Sequence, residues 1–346
     1  MDKLLETLLE TRRLTEEQWR ELLARRDSLD RAELFSLARA ERQRWFGNRV
    51  YIRGLIEWTN VCKNNCYYCG LRRDNHRVRR YRLTKEQILA CCEAGYRWGF
   101  RTFVLQGGED PGLSPEAVAE TVAAIAARYP DCAVTLSLGE WEEVVYRLWY
   151  EAGARRYLLR HETADEGHYR RLHPPELSLR HRMDCLYTLK NLGYQVGAGF
   201  MVGSPGQTDE TLAKDFCLLQ ELQPEMVGIG PFLPQHDTPF GREKPGTLED
   251  TLVFLALIRL TLPPVLLPAT TALATLDPRG RSLGMEAGAN VVMPNLSPPS
   301  VRESYALYDG KAATGAEAAE HLADLRAQLA GLEIAIDRGD APTKQP

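Results

Sequence analysis

The 346-residue chain carries 43 basic and 47 acidic side chains, a net charge of −4, and 44% hydrophobic residues. A near-neutral balance of this kind leaves no broad basic surface for nucleic acid. The charge-dense N-terminus MDKLLETLLETRRLTEEQW is no secretory signal, and the run LTLPPVLLPA is too short and too proline-rich to cross a membrane.

The expected setting is therefore the cytoplasm, whose reducing conditions disfavour structural disulfides among the eight cysteines. Residues 1–47 read as helix throughout, with leucines at helical spacing and no cluster of reactive side chains. They are expected to form a helical N-terminal cap. From residue 48 short apolar runs alternate with amphipathic stretches, the pattern of βαβ units. Strands are expected at 51–58, 102–106, 133–138, 156–161, 195–202, 226–230, 265–270 and 290–293. Helical stretches lie between them at 114–128, 178–192, 208–222 and 247–261, the first opened by Ser114, Pro115 and Glu116 as cap, N1 proline and early acid. Eight strands with their helices predict an α/β fold, a (β/α)8 TIM-type barrel over residues 48–332, with 316–332 as its closing helix. Residues 333–346 are expected to form a flexible tail.

CKNNCYYC, residues 62–69, crowds Cys62, Cys66 and Cys69 into a loop after the first strand. The other five cysteines, Cys91, Cys92, Cys132, Cys185 and Cys217, are scattered and read as small buried apolar residues. A structural zinc site needs four ligands, and no second pair follows, although His76 is available. Three thiolates suit a 4Fe-4S cluster with one iron left open. Cys62, Cys66, Tyr68 and Cys69, in the pattern C-x-x-x-C-x-aromatic-C, resemble the signature of the radical S-adenosylmethionine (SAM) superfamily. That resemblance implies SAM bound to the open iron and cleaved to methionine and a 5′-deoxyadenosyl radical.

Functional residues of such a barrel belong at the C-terminal ends of its strands. The second strand ends in LQGGEDP, where Gly107 and Gly108 allow close backbone approach and Glu109 or Asp110 can accept from an amine. This resembles the GGE motif that holds the SAM amino group. The third strand presents Thr135, Ser137 and Glu140, with Ser137 as a hydroxyl toward SAM or substrate. The fourth ends in LLRHETAD: Arg160 can clamp a carboxylate, Glu162 can accept from ribose hydroxyls, and His161 is either functional or structural. Arg182, on the next helix, is a candidate for SAM's carboxylate. Five glycines between 193 and 206 permit adenosine to approach. Met226, Ile229 and Pro231 can form an apolar wall, and His236 and Asp237 follow on a proline-flanked loop. Thr270 and Thr271 offer hydroxyls, Met293 and Asn295 point inward, and Tyr305 and Tyr308 can fold over the mouth.

CKNNCYYCGLRRDN, LQGGEDP, TLSLGEW, RYLLRHETA, GAGFMVGSPGQT, MVGIGPFLPQHDTP, PATTA and NVVMPNLSP together resemble the FeFe-hydrogenase maturase HydE family, strand for strand over about residues 45–310. The resemblance implies assembly of the dithiolate-bridged diiron part of the hydrogenase H-cluster. The implied substrate is a small organometallic or amino-acid-derived molecule, a cysteine-ligated iron complex bearing carbon monoxide and cyanide. It also implies other hydrogenase maturases and an electron donor as partners. By the same resemblance Arg160, Thr270, Thr271, Met293 and Tyr308 line the substrate pocket, while Glu162 and Arg182 hold SAM. Some family members carry three further C-terminal cysteines for an accessory cluster; here no cysteine follows Tyr308, so a single cluster is expected. Biotin synthase and methylornithine synthase are the rival readings within the superfamily, and a non-catalytic zinc scaffold is the rival outside it. The deep 2Fe–2S cluster of biotin synthase has no matching cysteines, since Cys132 precedes the third strand and Cys185 lies on a helix.

Overall fold

The structure, a computed structural model, describes residues 2–311, 319–329 and 331–342. The N-terminal segment is helical, as α1 (Lys3–Thr11), α2 (Glu16–Ala24) and α3 (Arg31–Phe46). Asp2, Thr15 and Asp30 accept from first-turn amides of these three helices, and Thr15 closes a reciprocal capping box with Gln18. The strands that follow are β1 (Arg49–Ile52), β2 (Gly54–Thr59), β3 (Thr102–Gly107), β4 (Ala133–Ser137), β5 (Ala154–Leu158), β6 (Gln195–Ala198), β7 (Met201–Val202), β8 (Met226–Val227), β9 (Gly230–Pro231), β10 (Val291–Val292) and β11 (Glu333–Ala335). Helices α4 (Lys85–Arg97), α5 (Pro115–Arg128), α6 (Glu143–Ala152), α7 (Glu166–Leu172), α8 (Leu179–Asn191), α9 (Asp209–Leu222) and α10 (Leu248–Thr261) alternate with them. Shorter helices α11 (Thr271–Leu276), α12 (Gly280–Glu286), α13 (Pro299–Arg302) and α14 (Leu322–Gln328) complete the order.

Strands β2-β3-β4-β5-β6-β8 make one sheet in that order, every pairing parallel. Side chains alternate across it. Ile56, Trp58, Phe103, Leu105, Val134, Leu136, Tyr157 and Val196 join the large core beneath the helices. The opposite face takes the intervening residues Glu57, Gln106, Thr135, Ser137 and Arg156, so it is polar. The cap docks on this frame through Trp19, whose indole N–H donates to Gln220 Oε1 at 2.9 Å and whose ring stacks on Phe216 at 4.3 Å. Helix α10 is apolar almost all round because both its sides are buried, α3 packing on one of them.

Four expectations need correction. The first predicted strand is two, β1 and β2, divided at Arg53, and β1 pairs with β10 and β11 instead of the main sheet. The strand expected at 195–202 breaks at Gly199, where φ is 149° and a Cβ would lie 2.0 Å from Gly228 O. Residues 265–270 form only isolated parallel bridges, Met226↔Leu266 and Pro268↔Val291. Pro263, Pro264 and Pro268 have no N–H to donate to a ladder. The closing helix is shorter than expected, a 3-10 turn at Ala319–His321 and then α14; residues 316–318 and 330 lie outside the described residues. Of the expected tail, residues 333–342 are described. Its β11 pairs with β1, and Arg156, fully buried, donates to Arg338 O at 2.7 Å and Asp340 Oδ1 at 2.5 Å. A buried guanidinium needs such acceptors, and the tail supplies them. Among the described residues no helix is long and apolar enough to cross a membrane.

Candidate active site

The cysteine loop leaves the C-terminal end of β2 and is held by backbone hydrogen bonds from several sides. Lys63 N–H donates to Glu109 O (2.8 Å), Tyr67 N–H to Leu172 O (3.0 Å) and Gly70 N–H to Leu307 O (2.9 Å). Arg80 staples the loop from beneath, donating to Leu71 O (2.9 Å), Arg72 O (2.7 Å) and Asn75 O (3.0 Å). Cys62, Cys66 and Cys69 are all free; Cys69 and Cys62 disfavour ionisation of Cys66, and Cys62 that of Cys69. The residues are partly accessible through the mouth, yet the sulfurs sit deep among protein atoms. Burial accordingly raises the Cys62 thiol, raises Cys66 strongly, and pushes Cys69 up to about 12. Thiols this reluctant to ionise alone become thiolates when iron supplies the compensating charge. Among the described residues no three His, Cys, Asp or Glu groups converge on one metal ion. A single tetrahedral ion needs such convergence, whereas a cube of iron and sulfide holds its thiolates on separate irons.

Gly107 and Gly108 end β3 against this loop. A Cβ on Gly108 would sit 2.3 Å from Val61 O and 2.8 Å from Cys62 Cβ, so the glycine is what admits the loop. The next two acids, alike in sequence, separate in the structure. Asp110 is saturated by Arg82 (2.6 and 2.8 Å), Thr59 Oγ1 (2.8 Å) and Gly112 N–H (2.8 Å), which makes it structural. Glu109 is buried beneath Gly139; its Oε2 has no hydrogen bond, and Lys63 Nζ stands 3.4 Å off. Burial raises its carboxyl against the pull of Arg182. Ser137 ends β4 beside Gln106, partly exposed.

Beyond β5, Arg160 and Glu162 meet at 3.1 Å as an ion pair whose angles are too poor for a hydrogen bond, and both Arg160 Nε and Glu162 Oε2 lack a hydrogen-bond partner. Glu162 is buried with φ at 66°, an uncommon conformation for a residue with a side chain. Arg182 is buried as well. It ion-pairs with Glu140 and donates to Arg160 O at 2.7 Å. Tyr68, whose burial and nearness to Glu162 push its hydroxyl far up, meets His173 Nε2 at 3.1 Å. His173 in turn stacks on Tyr169 at 4.0 Å.

Thr270 occupies the cap position of α11 but caps nothing; its buried Oγ1 has no partner. Thr271 opens α11, and Met293 packs beside Met226 and Leu266. Tyr308 lies on the segment that meets the cysteine loop through Leu307 O and the loop after β9 through Asp309 N–H, which donates to Pro234 O at 3.0 Å. Tyr305 on the same segment is buried, and its hydroxyl accepts from Gln106 Nε2 at 3.2 Å. His236 ties that segment down through Asp309 Oδ1 at 2.7 Å, which makes it a loop clasp.

Residues that the sequence did not single out complete the site. Lys311 ion-pairs with the fully buried Glu57 and lies 4.7 Å above the Tyr305 ring. Its one local signal is an acid inside an otherwise apolar strand. Arg80 and Asp215 carry no such signal. Buried oxygens on Glu109, Glu162 and Thr270 and a buried Arg160 nitrogen are left without hydrogen-bond partners, and Glu109 and Glu162 are near enough to Cys62 and Cys69 to disfavour their ionisation. Buried polar atoms without partners mark where a ligand's groups belong, and this donor set fits an iron–sulfur cluster with an amine-, carboxylate- and hydroxyl-bearing ligand.

Comparison with known proteins agrees with that chemistry. Residues 56–218 match the model of the Radical SAM superfamily. The FeFe hydrogenase maturase subunit HydE of Thermotoga maritima is 48% identical over 303 residues, covering 88% of this chain and 86% of its own. A 3-methylornithine synthase of Methanosarcina acetivorans is 30% identical, covering 89% and 87%. The crystal structure of methylornithine synthase (PylB) superposes with a TM-score of 0.83 at 29% identity, over 96% of this chain and 97% of that one.

Proposed function

The chain belongs to the HydE family of FeFe-hydrogenase maturases within the radical SAM superfamily, and on that premise we propose that it cleaves SAM reductively during assembly of the H-cluster diiron subsite. When bound, a 4Fe-4S cluster and SAM supply an electron to the sulfonium and a 5′-deoxyadenosyl radical to the substrate. Cys62, Cys66 and Cys69 ligate the cluster. The single observation that carries this reading is that three free cysteines share the loop leaving the C-terminal end of a strand in a parallel sheet, with Glu109 and Glu162 each keeping a buried oxygen that makes no hydrogen bond.

The rest of the site takes its roles from what each group offers. Glu109 Oε2 receives the SAM amine at a backbone opened by Gly107 and Gly108. Glu162 accepts from the ribose, Ser137 lies near the adenosine side, and Tyr68 packs beside Glu162. Arg182, fixed by Glu140, would offer a positive charge to SAM's carboxylate. Arg160, Thr270, Thr271, Met293 and Tyr308 line the pocket of a cysteine-ligated iron complex with carbon monoxide and cyanide; Arg160 Nε and Thr270 Oγ1 are the groups with hydrogen bonds left to make. The surrounding segment Tyr305–Lys311 excludes water from a reaction whose partners must meet at about 3–3.5 Å. The bridges Met226↔Leu266, Pro268↔Val291 and Leu55↔Asn295 support a closed (β/α)8 barrel from residue 48, with residues 1–47 as a separate helical cap. A cytoplasmic enzyme working with other maturases and an electron donor is the setting this implies.

Anaerobic reconstitution followed by assay of 5′-deoxyadenosine from SAM tests the reading. Product is expected from the wild type and none from Cys66→Ala; turnover by the alanine variant removes the cluster assignment. Arg160→Ala is expected to keep SAM cleavage and lose hydrogenase maturation. The 30% identity to 3-methylornithine synthase favours one second reading, a mutase acting on an amino acid; product analysis with lysine as substrate separates the two.

A further inference from the structure

His161 stands between two site residues, Arg160 and Glu162, yet its ring does not enter the site. It is fully buried and faces the inner side of α9. Gly199 N–H donates to its Nδ1 at 3.2 Å, so Nδ1 carries a lone pair and the ring proton sits on Nε2. Nε2 faces Asp215 Oδ1 at 3.3 Å. The same oxygen of Asp215 accepts from Ala164 N–H at 2.5 Å. The Nε2 contact lacks hydrogen-bond geometry, so one buried carboxylate on α9 holds the backbone two residues after Glu162 by a hydrogen bond and meets the side chain before it by close contact.

Glu162 is also the residue whose backbone needs holding. Its φ of 66° is strained for any residue with a Cβ, and such conformations persist only where the surroundings over-determine them. Its N–H donates to Gly199 O at 3.0 Å and its carbonyl accepts from Met201 N–H at 3.3 Å. Gly199 thus ties to His161 through its N–H and to Glu162 through its carbonyl. No side chain can replace it, because a Cβ there would strike Gly228 O.

We propose that Asp215 and His161 are positioning residues, a buried clamp that holds Glu162 in its left-handed conformation so that its carboxylate meets the SAM ribose. The proposal rests on the reading that places Glu162 at SAM, and the test separates the two. Three variants, Asp215→Ala, Asp215→Asn and Glu162→Gln, are reconstituted anaerobically beside the wild type. Iron content, SAM affinity from the change in the reduced cluster's EPR spectrum, and apo-protein amide exchange over residues 160–165 are measured. Asp215→Ala is expected to keep its iron, bind SAM about tenfold more weakly, and exchange the Ala164 amide about tenfold faster. Asp215→Asn retains an oxygen that can accept from both donors, and is expected to stay within about threefold of wild type on both measures. Should Asp215→Ala not fold, His161→Ala is read in its place for SAM affinity, with the same expected loss. Wild-type affinity in Asp215→Ala or His161→Ala, with Glu162→Gln impaired, overturns the clamp. Wild-type affinity in Glu162→Gln instead overturns the placement of Glu162 at SAM, and exchange at Ala164 then still decides whether the clamp exists.

Discussion

Gly108→Ala is the sharpest single test of how the cysteine loop is held. The backbone at Gly108 lies outside the left-handed region, so alanine meets no conformational penalty there and only space is at issue. Its Cβ would lie 2.3 Å from Val61 O, 2.8 Å from Cys62 Cβ and 2.9 Å from Val61 C, where ordinary contact begins at 3.4 Å. All three belong to backbone or to the first atom of a side chain, so no flexible end can swing away. The two strands cannot simply part, because Gly108 N–H donates to Thr59 O (3.1 Å) and Lys63 N–H to Glu109 O (2.8 Å) on either side of the clash. Relief requires the loop to move by about 1 Å, and overpacking of this sort costs about 1–3 kcal/mol. Most of the effect should appear in function, since a displacement of about 1 Å at a reacting centre costs roughly 100-fold in rate. Gly107→Ala is the milder comparison: its Cβ would meet Thr59 Cγ2 at 2.9 Å and Leu138 Cδ2 and Thr59 O at 3.3 Å, each a looser approach than the 2.3 Å at Gly108. Iron per chain after anaerobic reconstitution and the initial rate of 5′-deoxyadenosine release are the assays. Gly108→Ala is expected to lose iron or to slow by about two orders of magnitude, and Gly107→Ala to stay within about tenfold. Full iron and wild-type rate in Gly108→Ala would refute the claim that this glycine seats Cys62.

Two further outcomes follow from buried charge. Burial pushes His173 down to about 3 and His168 down to about 4, so both rings are neutral in the folded protein near pH 6. The unfolded chain binds protons from pH 6.5 downward that the native state refuses, so stability present above pH 6.5 drains as pH falls toward 4 and 3. Between pH 6.5 and 5, above the range of most carboxylates, the slope should approach about 1.4 kcal/mol per pH unit for each histidine. His173→Gln should roughly halve it in urea melts across that window, and an unchanged slope would dismiss His173 as a source. Separately, Lys311→Met strands the fully buried Glu57 carboxylate, a loss of about 3–5 kcal/mol. The melting temperature should drop by several degrees and recover in part with Glu57→Gln added; a melt unmoved by the single substitution would show that the pair is hydrated.

Periodicity carried the helices well. The stretches expected at 114–128, 178–192, 208–222 and 247–261 appear as Pro115–Arg128, Leu179–Asn191, Asp209–Leu222 and Leu248–Thr261. Local composition failed where distant groups decide. EIA at 333–335 becomes a strand because Arg156, almost 180 residues earlier, is buried and draws Arg338 O and Asp340 to it. The expected strand at 265–270 reads as apolar, but its prolines cannot complete a ladder. In the candidate site, the thiol spacing, GGE, Arg160 and Glu162 stand out because each lies in a short contiguous stretch. Their supports do not, because Asp215 lies 51 residues from the Ala164 amide it holds and Lys311 lies 254 from Glu57.

One signal for those supports was nonetheless present in the strands themselves. In VYIRGLIEWT the charged residues Arg53 and Glu57 fall on one face with Thr59, while Ile52, Ile56 and Trp58 fall on the other. The next strand repeats it with Thr102 and Gln106, and β5 with Arg156. A strand buried on both faces is ordinarily apolar on both. Polar and charged side chains confined to one face, strand after strand, therefore mean that this face looks into a shared polar interior. Each buried charge there demands a partner, and the structure answers with Met226 and unmatched nitrogens for Arg53, Asp340 for Arg156, and Lys311 with Asn295 for Glu57. The same alternation that builds the sheet lines the space in which the three thiols and the open carboxylates meet.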